Sequence, residues 1–169
     1  MTTFNQTAFR VAVLCTGNSA RSQIAEALIT TRGAHRAAGA VLAVSAGSYP
    51  ARQVNPLAIE VLAEHGIAWS NRTPRPIGGI ADQHFNLVIT VCDNARDACP
   101  FFPGASVQVH WGLPDPADVA GISAARAAFH QSYNALSGRV DALLALPLES
   151  LSSSELNAAV AAIHVQQAS

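Results

Sequence analysis

Charge is scarce in this chain. Only 12% of its 169 residues are Asp, Glu, Lys or Arg, and the formal net charge is −1. Without a basic stripe, nucleic acid is not the expected partner. Aromatics make up 6% and are scattered, so no platform for stacking bases emerges either. No segment approaches the roughly 20 apolar residues that a membrane-crossing helix needs. The opening MTTFNQTAFR also lacks the apolar core of a signal peptide. The expectation is a soluble, cytoplasmic protein that binds neither membrane nor nucleic acid. Cysteines number three. An odd count cannot be absorbed by static pairs, and thiols in a reducing compartment serve catalysis, redox exchange or metal binding. No paired C-x2-C array and no H-x3-H spacing occurs, which leaves little support for zinc at Cys92, Cys99 and a histidine, or for a metal-responsive binding module. No metal site is expected from these residues.

What is present is apolar. Half the residues are hydrophobic, enough for one continuous core in a chain of this length. FRVAVLC (9–15), AVLAVSAG (40–47), FNLVITVC (85–92) and ASVQVHW (105–111) read as buried strands. SQIAEALITTRG (22–33) places Ile24, Ala27, Leu28 and Thr31 at helical spacing and stops at Gly33. NPLAIEVLAEHG (55–66) is a helix capped by Asn55, with Pro56 in its first turn and Gly66 at its end. The segment 122–146 closes the domain as a long helix, softened at Ser137-Gly138. Strands alternating with helices predict a single α/β domain, a four-stranded parallel sheet flanked by helices on both faces. It spans residues 1–147, and 148–169 is a C-terminal tail with a Ser-rich linker and a short helix, in which Ser152 and Glu155 have capping-box spacing.

In such a sheet ligands sit beyond the carboxyl ends of the strands, where Cys15 and Cys92 both fall. After Cys15 comes TGNSARS, a tight polar loop running into a helix. Inward-pointing amides and the helix dipole make such a loop an anion cradle. Gly17 and Asn18 suit left-handed backbone angles. Arg21 offers a planar fork of donors for two oxygens of a tetrahedral oxyanion. The same field favours thiolate, so Cys15 is expected to have a lowered pKa and act as a nucleophile, with Ser22 donating a hydrogen bond to it. Asp115, stiffened between Pro114 and Pro116, is placed to protonate a leaving oxygen, with Asp118 as a weaker competitor. Cys92 and Cys99 are seven residues apart. An unbroken helix would separate them by roughly 10 Å of rise, too far for a disulfide. The polar DNARDA between them is therefore expected to be a partly unwinding loop.

VLCTGNSARSQIAEALI, SAG with VNPLAIEVLAEHGI, LVITVCDNARDACP and HWGLPDPA together resemble the thioredoxin-coupled arsenate reductases built on the low-molecular-weight tyrosine-phosphatase fold. The resemblance runs from about residue 10 to 145, and Cys92 with Cys99 distinguishes it from the wider phosphatase superfamily. It implies that Cys15 attacks arsenate within a cradle of Thr16, Gly17, Asn18, Ser19, Ala20, Arg21 and Ser22, and that Asp115 is the general acid. Cys92 would then attack the Cys15–arsenic adduct, releasing arsenite and leaving a Cys15–Cys92 disulfide. Cys99 would convert it to Cys92–Cys99, which thioredoxin reduces. No tightly bound cofactor is implied. Glutaredoxin with glutathione is the second choice of donor. Some members hold potassium at positions matching Asn18, Glu26 and Ser45, but Ala68 stands where a further acid is expected.

The rival reading is a low-molecular-weight phosphotyrosine phosphatase working through a phospho-cysteine, which shares Cys15, Arg21 and Asp115. Against it, Ala117 follows Asp-Pro where those enzymes usually have a tyrosine, and only Tyr49, Trp69 and Trp111 are candidates for an aromatic rim. His65 and His110 read as ordinary surface or core histidines, and Arg72 and Arg75 in NRTPRP as part of a solvated loop.

Overall fold

The structure is a computed structural model that describes residues 8–99 and 101–167. Four strands, β1 (Phe9–Cys15), β2 (Val41–Gly47), β3 (Phe85–Thr90) and β4 (Ala105–His110), pair in parallel in the order β2-β1-β3-β4. β-branched and apolar residues fill them because both faces are covered. Helix α1 (Arg21–Gly33) links β1 to β2, and α2 (Pro56–Glu64) follows β2. The Asn55 side chain accepts from Leu57 N at the start of α2, the cap its sequence advertised.

Alternation along the strands splits the core in two. Val11, Val13, Leu87, Ile89, Val107 and Val109 meet α1, α2 and the long helix α4 (Ile122–Leu144) in the larger cluster. Ala12, Leu14 and Val88 face the other way, under the 3-10 turn Ile77–Gly79, Phe102 and Cys99. The α/β fold with a four-stranded parallel sheet is as expected, and Ser137-Gly138 does not interrupt α4.

One segment differs from expectation, and the helix expected at the C-terminus packs against the core. DNARDA is the short helix α3 (Asp93–Ala98), flanked by Cys92 and Cys99. The C-terminal segment forms α5 (Ser153–Gln167), and its Leu156, Val160 and Ile163 join the larger core cluster. Trp111 Nε1 donates to Val160 O at 3.0 Å, tying α5 to the end of β4. Ser152 and Glu155 do form a reciprocal capping box at its start. No helix among the described residues is long and apolar enough to cross a membrane.

The order β2-β1-β3-β4 places a topological switch between β1 and β3, because the chain leaves them in opposite directions. Ligand crevices of open α/β sheets form at such a switch. Cys15 ends β1 and Cys92 lies two residues beyond β3.

Candidate active site

The loop after β1 is turned inside out by its neighbour. The carbonyls of Cys15, Thr16, Gly17 and Ser19 accept from the amides of Ser48, Tyr49, Ala51 and Asn55. With those carbonyls pulled outward, the loop's own amides face inward. Asn18 N points at Cys15 Sγ from 3.1 Å. The approach requires a glycine at 47, since a Cβ there would lie 2.4 Å from Thr16 O. Asn18 holds the turn at φ 49, which Asn tolerates better than most residues; Gly17 has no positive φ.

Asn18 is fully buried and organises the loop. Its Nδ2 donates to Ser22 Oγ at 2.9 Å and Ser45 Oγ at 2.8 Å. Since the Ser22 oxygen already accepts, its hydroxyl proton is free to point at Cys15 Sγ, 2.8 Å away. Ser45, accepting from the same amide, donates to Glu26. Asn18 Oδ1 accepts from Arg75 N at 2.9 Å, which fixes which way the amide faces.

The Cys15 thiol is not lowered as expected. Burial pushes it above its ordinary value, and the hydrogen bonds from Ser22 and Asn18 only partly offset that. Arg21 does not turn to the thiol. Its fork donates to Leu113 O and Asp115 Oδ2, both at 2.7 Å, rather than to the sulfur. Arg21 Nε is buried with no hydrogen-bond partner, an unusual state for a guanidinium donor and a ready place for an oxyanion. Asp115 also accepts from Ala117 N at 3.0 Å, so its carboxyl is held over the cleft from two sides.

Cys92 faces the same space. Its sulfur shares a 3.2 Å hydrogen bond with Thr16 Oγ1 and accepts from Ala95 N at 3.3 Å, capping α3. Thr16, Arg21, Cys92, His110 and Asp115 line one open cleft of about 840 Å3. Asp118 lines it too, while Cys99 lies at the far end of α3, half-buried, with its thiol also pushed up by burial. All three cysteines are free thiols.

Several residues of the site were not apparent from sequence. His110 lines the cleft and bonds Asp93, and His164 reaches it from α5. Arg72 stacks on Trp69, 3.9 Å from the ring centroid, and approaches buried Glu26 to 3.7 Å, so the NRTPRP loop is not merely solvated. Trp69 and Trp111 are buried and form no rim, whereas Tyr49 is exposed. His65 stacks on Tyr133, away from the chemistry, as expected of an ordinary histidine.

Asn18, Glu26 and Ser45 do come together, but as a closed hydrogen-bonded chain. Asn18 presents its NH2 rather than its oxygen to Ser45, and Glu26 is met by Ser45 and Arg72.

Residues 10–157 match the low molecular weight phosphotyrosine protein phosphatase family. The arsenate reductase of Bacillus subtilis (strain 168) is 37% identical over 118 residues, 70% of this chain and 81% of that protein. Among solved structures, an arsenate reductase in the phosphate binding state superposes with a TM-score of 0.64 at 30% identity, over 81% of this chain and 97% of that one. A thioredoxin-dependent arsenate reductase of Corynebacterium glutamicum gives 0.61 at 28% identity, over 81% of this chain and 60% of that longer one. An anion loop on an α/β switch point, a cysteine within it and this breadth of match lead to one placement: the chain belongs to the low molecular weight phosphotyrosine protein phosphatase family and lies close in sequence to its arsenate reductases.

Proposed function

We propose that this protein reduces arsenate to arsenite, using Cys15, Cys92 and Cys99 as a relay and thioredoxin as electron donor in the cytoplasm. The observation that carries the reading is the bond between Cys92 and Thr16, the residue next to Cys15. A phosphatase needs Cys15, Arg21 and Asp115, but has no use for Cys92 bonded to Thr16 at the same mouth.

Arsenate entering the loop takes the inward amides and the free Nε of Arg21, and competes with Asp115 for the rest of the fork. A displaced Asp115 is then free to take up a proton and pass it to a leaving oxygen. Cys15 Sγ forms the S–As bond, its proton passing to an arsenate oxygen, and water departs. Cys92 then attacks Cys15 Sγ. The S–S bond forms as S–As breaks, and the electron pair stays on arsenic, which leaves as arsenite. Cys99 attacks Cys92, freeing the Cys15 thiolate by exchange without net oxidation. Reduced thioredoxin supplies the two electrons that reopen Cys92–Cys99; glutaredoxin with glutathione is the alternative donor.

The test is NADPH consumption in the presence of thioredoxin and its reductase, with and without arsenate. Arsenate-dependent consumption is expected. C99S should release arsenite in a single round and then stall; undiminished turnover in that variant would rule out the relay. A flat trace beside rapid aryl phosphate hydrolysis would favour the phosphatase, which shares the loop but finds Trp69 and Trp111 buried rather than on its rim.

A further inference from the structure

Helix α3 is too short to stand alone. Isolated helices under roughly 12–15 residues are marginal in water, and this one has six, of which only Ala95 is buried. Something outside must hold it wound. The Cys92 sulfur accepts from Ala95 N, but a sulfur engaged in disulfide exchange is a poor anchor. Ala95 is buried in the main core, and two further anchors come from one strand. Gln108 and His110 are two apart in β4 and share a face of the sheet. Gln108 holds the far end of α3, donating to Cys99 O and accepting from Phe102 N, both at 2.8 Å. His110 holds the near end, with its Nε2 2.8 Å from Asp93 Oδ1 and its Nδ1 2.8 Å from Thr90 Oγ1. The corner is tight: a Cβ at Gly112 would lie 2.8 Å from His110 Nε2.

We propose that His110 is a positioning residue of the relay, a proton-dependent latch on the first turn of α3 whose opening lets the helix unwind so that Cys99 can reach Cys92. A carboxylate only accepts, so Nε2 carries a proton in both states of the ring. The buried Thr90 hydroxyl can rotate to donate to Nδ1 or accept from it, so either charge state is accommodated. The bond to Asp93 is charge-assisted when the ring is protonated and weaker when it is neutral. Raising pH therefore loosens the latch. The other charges facing His110 are Arg96 on α3, 3.5 Å from the same Asp93 oxygen, and His164 on α5, with ring centroids 6.5 Å apart. Burial, then Arg139 of α4, then His110 itself push the His164 pKa down, so it adds little charge. The Arg21–Asp115 pair lies across the same cleft. Gln108 carries no titratable group, so its clamp does not respond to pH.

The latch concerns the fully reduced protein, while its use in catalysis rests on the relay proposed above. Hydrogen exchange of the α3 amides, read by mass spectrometry on reduced full-length protein and corrected for intrinsic rates, tests it without substrate. In wild type, opening of α3 should increase as pH is raised from acidic to basic. H110A should exchange about tenfold faster at the low end, with no pH trend left. Asp93 is exposed, so D93N will fold, and it should flatten the trend in the same way. Q108A should speed exchange while the trend persists. Equal exchange in H110A and wild type, or a trend that survives D93N, overturns the latch. A second arm traps thiols after one turnover with arsenate. H110A should pass from Cys15–Cys92 to Cys92–Cys99 about tenfold faster at low pH, and equal rates would also overturn the proposal. Should arsenate leave all three thiols intact, the relay fails, and the exchange data still decide the latch.

Discussion

Cys15, the proposed nucleophile, is held in reserve. Its sulfur is buried, faces an amide and a hydroxyl, and is denied the nearest cation, because Arg21 is turned to Asp115. A sulfur whose protonation is favoured by burial should alkylate slowly near neutral pH, and the rate should climb as pH passes the ordinary thiol value of 9.0. S22A removes the largest interaction opposing burial. Iodoacetamide modification of Cys15 in that variant should be slower than wild type at every pH below the plateau, an outcome mass spectrometry reads directly. Arg21 is less forgiving. R21K keeps the charge but loses the fork, and kcat/KM for arsenate should fall about 100-fold or more.

Glu26 is the second buried titrating group, and its pKa is raised by burial despite Ser45, Arg75 and Arg72. A carboxyl raised in the folded state binds its proton more tightly there than in the unfolded chain. The stability it contributes is complete below 4.5, the ordinary value, and is lost as pH rises through the raised one. Urea melts between pH 4 and 7 should show this decline in wild type, and E26Q should remove that component of the slope.

At the scale of elements, the site depends on β2 as much as on β1. The turn after β2 pulls the loop carbonyls outward, and Gly47 is the point of closest approach. G47A forces a methyl against Thr16 O, and overpacking of this kind costs about 1–3 kcal/mol. The loop is also displaced, so kcat/KM should drop together with the urea midpoint; a variant of unchanged stability and activity would refute the role given to this contact. Most elements could be anticipated from periodicity, since β1, β2, α1, α2 and α4 each carry their pattern locally. DNARDA could not. Its helix depends on a sulfur cap at Cys92 and on Gln108 and His110, which are 9 and 17 residues from their partners. Read alone, four polar residues and two alanines offer no apolar stripe and no reason to be wound.

Across the whole molecule, α5 is structural and close to function. Leu156, Val160 and Ile163 sit in the main core, Val160 O accepts from Trp111, and His164 borders the cleft. Ser-rich sequence ahead of it suggested a tail, because a linker's composition says nothing about where the next helix docks. V160A should cost about 1–3 kcal/mol through the methyls it removes from the core, measured by urea unfolding, with only a small change in kcat. Truncation before Ser153 should cost more, since it uncovers Trp111 and leaves its indole N–H without a partner.

The link of Cys92 and Cys99 to Cys15 came from the resemblance to a known family, whereas local chemistry was enough to place the strands, the loop from Cys15 to Arg21 and the acid between two prolines. Each of those rests on neighbours within a few residues, where spacing and backbone preference act directly. Arg21 bonding to Asp115, Thr16 to Cys92, His110 to Asp93 and α5 to Trp111 are contacts between residues 17 to 94 positions apart. Such contacts exist only once the sheet has ordered its strands and both core faces are filled. The protonation of Cys15 follows from them, because burial and the direction of one guanidinium are properties of the packed molecule.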